Sequence, residues 1–405
     1  MLIFVVFLWL MVASLASTSM VSPFNGTDLS HPISLLKCGN QTRCVQPSLQ
    51  LEKHYKVYYC KHVSAGVRFY FLVREGLLHH PHIDLVESPA EADVVVYLPE
   101  SARWKKSECG DRSLMKKMVV LDEGDGPDLF TLDGLVHGGA KEWLLYFKRS
   151  FVKRRDGKFV GYMPYLLKHS AVLPMTYTIA DAYVRPKFNF LKNRRYEVVT
   201  TLRGHAADPV RARVRGYVEE YCKARALGKK CILGQVNGAS RRTVDGNYLE
   251  SMYQGKIVVT SNPSHWEGDF RLMEAIASGA LIMVDTMHVP RPHPLVHDQH
   301  LIYYDNHNKS DLWAKLDRYR DNADEARRVA ITGYLHCMKY HRAVNLVDYI
   351  FRTVHLKQLR HTGRAEGGNN LTPGATGKKY SGTGFHMRNK AKNYDVTVHN
   401  VHAWL

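Results

Sequence analysis

Short apolar runs separated by polar, helix-compatible stretches are the first regularity along the chain. In the first half they fall at Val57–Cys60, Val67–Val73, Ala92–Leu98 and Met118–Leu121. Runs of this length without strict alternation predict strands buried on both faces of a mainly parallel sheet. Val94-Val95-Val96-Tyr97-Leu98 is the clearest, because Pro99 follows it where a strand enters a loop. The second half repeats the rhythm. Strands are expected at Tyr196–Thr201, Lys230–Leu233, Lys256–Thr260 and Ala280–Val284. Between them lie helical stretches at Asp208–Ala226, Tyr248–Gln254 and Phe270–Ser278. Asp208-Pro209 starts a helix well, and Gly279 closes one. Three more helices are expected near Ser310–Arg320, Ala323–Lys339 and Ala343–His355. This β-α-β-α alternation predicts an α/β protein with doubly wound sheets.

The chain's 405 residues suffice for two domains of ordinary size. The pattern divides it into a leader (1–20), a polar stem (21–55), a first domain (56–190), a second domain (191–357) and a basic tail (358–405). The boundary between domains is expected between Tyr183 and Arg195, where Arg185-Pro186-Lys187 and Lys192-Asn193-Arg194-Arg195 read as linker.

The leader adds a compartment. Met1–Ala16 is almost wholly apolar, shorter than the ~20 residues a membrane span needs, and ends in small residues. No basic residue precedes the apolar core, so a cleaved signal peptide and an uncleaved signal anchor both stay open. Asn25, Asn40, Asn308 and Asn370 each begin an Asn-x-Ser/Thr triplet. Seven cysteines allow three disulfides. Proximity pairs Cys38 with Cys44 and Cys222 with Cys231, which leaves Cys60 for Cys109 and Cys337 over. These features predict a lumenal, secretory-pathway protein (Golgi or ER) or a secreted one.

Charge narrows the partners. Fifty-six Lys and Arg against 38 Asp and Glu give +18, a surplus that attracts polyanions. No zinc-finger spacing, basic zipper or aromatic RNA-binding motif is present, so nucleic acid is not an expected partner. The 22 histidines show no metal-ligand spacing, although His288, His293, His297 and His300 lie close together. No resident metal or cofactor is expected. His293 and His297 read as loop residues beside the ligand pocket. No nucleophile elbow or phosphate-binding P-loop is present.

The chemistry concentrates between Ser261 and Ile282. That segment reads as a polar loop at the carboxyl end of a strand, a short helix, a glycine and another strand. A helix start there offers N–H groups and partial positive charge to a diphosphate. Glu267 and Glu274 offer acceptor oxygens to sugar and ribose hydroxyls, and Arg271 and Glu274, three apart, both border the cleft. In the first domain Leu121-Asp122-Glu123-Gly124-Asp125-Gly126 follows a strand. Asp122 and Asp125 are candidates for orienting an acceptor hydroxyl or acting as a general base, although Asp-Gly steps are equally ordinary turn chemistry. Lys148-Arg149, Lys153-Arg154-Arg155 and Lys158 form a basic stretch that reads as a solvated face or as a site for an anionic acceptor.

The motif Ser261-Asn262-Pro263-Ser264-His265-Trp266-Glu267-Gly268-Asp269-Phe270-Arg271-Leu272, with Glu274-Ala275 and Ser278-Gly279-Ala280, resembles the C-terminal signature of group-1-like glycosyltransferases of the GT-B fold. It is closest to the family 1-like, exostosin-like variant of that signature. Pro292–Pro294, Tyr303–Asp305 and Tyr340–Val344 are similar to that variant's continuation. The resemblance implies two Rossmann-like domains facing a cleft and transfer of a sugar from a nucleotide-sugar donor to a glycan or glycoprotein acceptor, anionic ones included. It implies that Glu267 lies near the donor sugar and Glu274 on the nucleotide ribose, with Ser264, Gly268 and Arg271 in the donor loop. One residue fewer separates the two glutamates than in the widespread family pattern, a departure that bears on Glu267. Arg203 follows the first strand of the second domain, where such enzymes place a basic diphosphate ligand that stands in for a metal. Arg241 and Arg242 are weaker alternatives. A catalytically inactive scaffold of the same fold and a polyanion-binding secreted protein are the rival readings.

Overall fold

The computed structural model describes residues 45–60, 68–98, 109, 111–124, 143–150, 152–155, 158–162, 172–181, 184, 193–202, 208–234, 246–264, 267–289 and 291–366. Arg203, Asp125, Arg241 and Arg242, the leader, three of the four sequons and the Cys38–Cys44 pair lie outside them.

Two parallel sheets organise the molecule. The first is built from β1 (Tyr55–Tyr59), β2 (Ile83–Leu85), β3 (Val94–Tyr97), β4 (Met118–Asp122), β5 (Leu145–Lys148) and β8 (Val172–Pro174), in the order β2-β1-β3-β4-β5-β8. An antiparallel hairpin, β6 (Val152–Arg155) with β7 (Lys158–Tyr162), stands outside that sheet. The second is built from β9 (Tyr196–Thr200), β10 (Cys231–Leu233), β11 (Gly255–Val259), β12 (Leu281–Asp285) and β13 (Ile302–Tyr304), in the order β10-β9-β11-β12-β13. Every pairing in both sheets is parallel. Strands β3, β4, β5 and β12 are buried along their whole length, the condition that produces continuous apolar runs. Two parallel sheets within an α/β chain are what the alternating pattern predicts.

Helix α1 (Arg68–His79) corrects one expectation, since Val67–Val73 reads as a strand. Leu72, Val73 and Leu77 supply a buried helical face, and an apolar run of that length cannot distinguish the two periods. The remaining helices are α2 (Pro209–Ala224), α3 (Gly246–Tyr253), α4 (Phe270–Ala277), α5 (Lys309–Asp321), α6 (Ala323–Tyr340) and α7 (Ala343–Glu366). Their ends follow local chemistry. Asp208 accepts from Arg211 N with Pro209 in the first turn, and Asp269 and Asn308 cap α4 and α5 in the same way. Gly279, at φ +68, takes the left-handed position after α4.

Helix α7 runs to Glu366, past the expected start of the tail at 358. It returns the chain to the first domain and packs on α1. Gly76 permits the close approach, because a Cβ there would lie 2.5 Å from Ala343 O. Before α7, Ile179 N donates to His341 O at 2.7 Å and Ala343 N donates to Ile179 O at 3.0 Å. Asp348 accepts from Gln50 N and Leu51 N, both at 2.8 Å. Part of the expected stem therefore belongs to the folded body. One core cluster runs from Leu51 through the inner faces of both sheets to Val354. Separate clusters cover the outer face of each sheet.

Disulfides Cys60–Cys109 and Cys222–Cys231 form, and Cys337 is buried and free, as the spacing suggests. Replacing Cys222 and Cys231 together by Ser removes a short loop closure and is expected to lower unfolding free energy by about 2–3 kcal/mol. Denaturant titration of the oxidised protein against the double variant measures it. An unchanged midpoint would show that the crosslink does not constrain the unfolded chain.

Candidate functional site

Two helix N-termini converge at the carboxyl ends of β9, β11 and β12. Ser264, in the loop after β11, accepts from Val210 N at 3.3 Å and donates to Asp208 Oδ1 at 2.9 Å, which ties the loop to the start of α2. Asp269, at the start of α4, accepts from Arg271 Nη1 at 2.9 Å and from Arg211 Nη2. Arg211 also reaches Ser261 O at 3.3 Å and Asp208 at 3.2 Å. Both helix starts are thus locked side by side at one loop; Val210 N, Arg211 N and Arg271 N are taken up by Ser264, Asp208 and Asp269, so what the pair offers an anion is the partial positive charge of the helix ends.

The charges around it are mutually compensated. Burial lowers the Arg211 pKa, opposed by Asp269. Burial also acts against the Arg271 cation, but Asp269, Tyr248 and Glu274 outweigh it and hold Arg271 above its ordinary value. Glu274, on the inner side of α4 and 1% exposed, accepts from Tyr248 Oη at 2.7 Å. Burial, and then the Glu274 charge, push the Tyr248 hydroxyl well above the usual tyrosine range, so it stays a donor. Tyr248 belongs to α3 and is not among the residues the sequence points to; nothing local marks it as the partner of Glu274. Arg271 Nε and the hydroxyls of Thr200, Thr201 and Thr260 are buried without partners among the described residues. The threonines stand at the carboxyl ends of β9 and β11, so polar groups concentrate at this end of the sheet.

Glu267 departs from its expected place. It is 0% exposed. Its carboxylate accepts from His288 N at 2.5 Å and Val289 N at 2.8 Å, with Arg291 Nη2 3.6 Å away. It pins the loop after β12 to the loop after β11 and, fully buried, offers no surface to a sugar. Gly268, at φ +94, turns the chain directly after it. Asn262 completes the frame: its N and Nδ2 both donate to Asp285 Oδ1 at 2.8 Å, and its Oδ1 accepts from Gly268 N at 3.2 Å.

Asp122 is likewise interior, 1% exposed, and accepts from Lys148 Nζ at 3.0 Å, Gly124 N at 2.8 Å and Tyr146 Oη. Its carboxylate compensates a buried ammonium, so the structure gives it a supporting role in place of the expected general-base position. The first two residues of the basic stretch are corrected with it: Lys148 and Arg149 are each 1% exposed and do not form a solvated face. Arg149 donates to Glu123 O from Nε at 3.0 Å and Nη2 at 2.5 Å, and to Gly268 O from Nη1 at 2.6 Å. Its guanidinium lies 4.6 Å from the Tyr177 ring centroid, and Tyr177 stacks on Phe270 of α4 at 3.7 Å. The carboxyl ends of the two sheets therefore face each other, joined at Arg149.

His293 and His297 sit away from Glu274 in their contacts. His293 stacks on Tyr340 at 4.0 Å, and its carbonyl accepts from His336 at 3.1 Å and His341 at 2.7 Å; His297 accepts from Tyr303 N at 2.9 Å. Burial, followed by His336, lowers His300 to about 4, and burial, followed by Arg291, holds His341 well below 6.5. Unfolding releases these rings to a pKa near 6.5. The unfolded chain then binds more protons at intermediate pH. Stability is therefore full above about pH 6.5 and declines with acid, by at most ~1.4 kcal/mol per pH unit for each fully buried ring. Urea midpoints at pH 7.5 and pH 5 test this: the midpoint should fall, and by less in His300→Gln. Equal midpoints would refute it.

Glu75, His79 and Asp181 bring ligand-type atoms within 4.8 Å of one another. Arg342 binds Asp181 through Nε at 2.6 Å, and Glu75 Oε1 accepts from Asp181 N at 2.7 Å. The cluster thus ties α1 to the start of α7.

Residues 194–352 match the family described as glycosyl transferase-like. No curated protein sequence matches the chain. Among solved structures, a glycosyltransferase from Rickettsia africae aligns at 10% identity and TM-score 0.45, over 76% of this chain and 99% of its own. An alpha-glucosyltransferase solved with UDP-glucose and DNA containing an abasic site aligns at 8% and 0.45, over 75% and 100%. An Anabaena protein solved with UDP and glucose aligns at 8% and 0.42, over 75% and 100%. The likeness to glycosyl transferase-like proteins is thus carried by residues 194–352.

Proposed function

We propose that the protein transfers a sugar from a nucleotide-sugar donor, held between the starts of α2 and α4, to a glycan or glycoprotein acceptor in the secretory pathway. The observation that carries this reading is the paired helix N-termini at Ser264, with Glu274 and Arg271 one turn away. The partial positive charge of the two helix starts and the Arg271 guanidinium suit a diphosphate and would stabilise its charge as the glycosidic bond breaks. Arg203, following β9, is the further basic candidate for that role. Glu274, with Tyr248 fixing its orientation, would accept from ribose hydroxyls. The acceptor would approach from the first domain, whose strand ends face the same cleft. The apolar leader, the sequons and the two disulfides support a lumenal setting.

A thermal-shift screen of the purified protein against UDP-, GDP- and ADP-sugars tests the reading. Donor at a hundred times its dissociation constant should add ~2.7 kcal/mol of stability. A shift confined to one nucleotide would identify the donor class. No shift from a well-folded sample would remove the proposal.

A further inference from the structure

A polar cavity lies between the domains, beside the loop that Glu267 anchors. Its wall combines Thr176 and Thr178 of the first domain, Arg291 and His293 of the loop after β12, and His341 and Arg352 at α7. Most polar groups around it are committed. His341 Nε2 meets His293 O at 2.7 Å, Tyr349 Oη donates to Pro174 O at 3.2 Å, and Asn345 Nδ2 donates to Ser48 O at 2.8 Å. Asp348, the one carboxylate in the wall, is held by Arg352 Nε at 2.9 Å and by Gln50 N and Leu51 N.

Apart from Arg352 Nε, whose partner is the Asp348 carboxylate in an ion pair, two groups are left over. Arg291 has a side chain 5% exposed, and its Nη2 faces Glu267 and Met287 Sδ, while Nη1 is buried without a partner among the described residues. Thr178, 4% exposed, has its hydroxyl buried in the same condition. Two donors left unpaired in the wall of one cavity are costly unless a ligand satisfies them. A guanidinium and a hydroxyl together match the lone pairs of a carboxylate, sulfate or phosphate group.

We propose that this cavity is an oxyanion-binding site, with Arg291 and Thr178 as its donors, separate from the donor pocket at Ser264. The occupant would bridge the two domains and touch the residue that faces Glu267. The oxyanion could be an inorganic ion or a group carried on a glycan, and the two sources are distinguishable.

The test is a titration of melting temperature with sodium phosphate at constant ionic strength, chloride being exchanged for phosphate. Wild type should show a saturable rise. Thr178→Val keeps the side-chain shape and removes the hydroxyl, so it should fold normally and need about tenfold more phosphate. Arg291→Gln should abolish the saturable response; if it fails to fold, Thr178→Val alone decides. A non-saturating rise common to all proteins, or a saturable one unaffected by both substitutions, would overturn the proposal, the latter placing phosphate elsewhere. An oligosaccharide ending in a uronate separates the sources. Competition with phosphate assigns the site to a group on a glycan, whereas binding of phosphate alone assigns it to a free ion. Glu274→Ala should keep the phosphate response while losing any nucleotide-sugar response, so failure of this proposal and failure of the donor reading are distinct.

Discussion

Glu274→Ala is expected to abolish stabilisation by nucleotide sugars and to lower donor affinity by roughly 10–150-fold, the range for hydrogen bonds to a charged group at ~1.5–3 kcal/mol. The carboxylate is 1% exposed, is oriented by Tyr248 and stands on the helix whose N-terminus enters the candidate site. Removing it also strips Tyr248 of its partner, so the empty protein should lose some stability. Glu274→Gln separates the two effects: the amide oxygen can still accept from Tyr248, while the negative charge is gone. Calorimetric titration with the nucleotide sugar that stabilises wild type gives the affinities. Wild-type affinity in Glu274→Ala would place the donor pocket elsewhere.

Arg149→Met should cost about 3–5 kcal/mol of unfolding free energy, since two carbonyls each lose hydrogen bonds from a charged donor at ~1.5–3 kcal/mol. The guanidinium joins Glu123 O in the first domain to Gly268 O in the second and packs over Tyr177. Its loss leaves two buried carbonyls unsatisfied and loosens the donor loop at Gly268. Donor affinity should therefore fall by at least about tenfold even in the folded fraction. Arg149→Lys should rescue little, since a single ammonium cannot span three directions. Urea unfolding and nucleotide-sugar titration of both variants measure this. Wild-type stability in Arg149→Met would mean that the two sheet ends are held together by other contacts.

What is legible in the sequence follows from where the information is local. The unit from β11 through α4 to β12 can be read because its apolar runs and its closing Gly279 all lie within one short stretch. The same holds for the Cys222–Cys231 pair and for the start of α2 at Asp208-Pro209. Residues whose partners are distant mislead. Glu267 looks like an exposed loop acid until His288 N and Val289 N are brought to it. Lys148 and Arg149 look like surface charge because Asp122 and the Gly268 carbonyl that compensate them are remote in sequence. Helix α1 reads as a strand because its apolar run is too short to reveal its period, and α7, which covers its buried face, lies far along the chain.

That last contact has a consequence for biosynthesis. Leu51 N and Asp348, 297 positions apart, bond directly, and Tyr55 rests against Phe351 at 5.4 Å. The outer layer of the first domain is thus completed by the last helix among the described residues. At translation rates of about 5–20 residues per second, roughly 15–60 s separate the emergence of β1 from that of α7. Throughout that interval the faces of Leu72, Leu77 and Tyr55 that α7 covers lack their partner on the nascent chain. The second domain can close its own sheet meanwhile, so the half made first would be the half that finishes folding last.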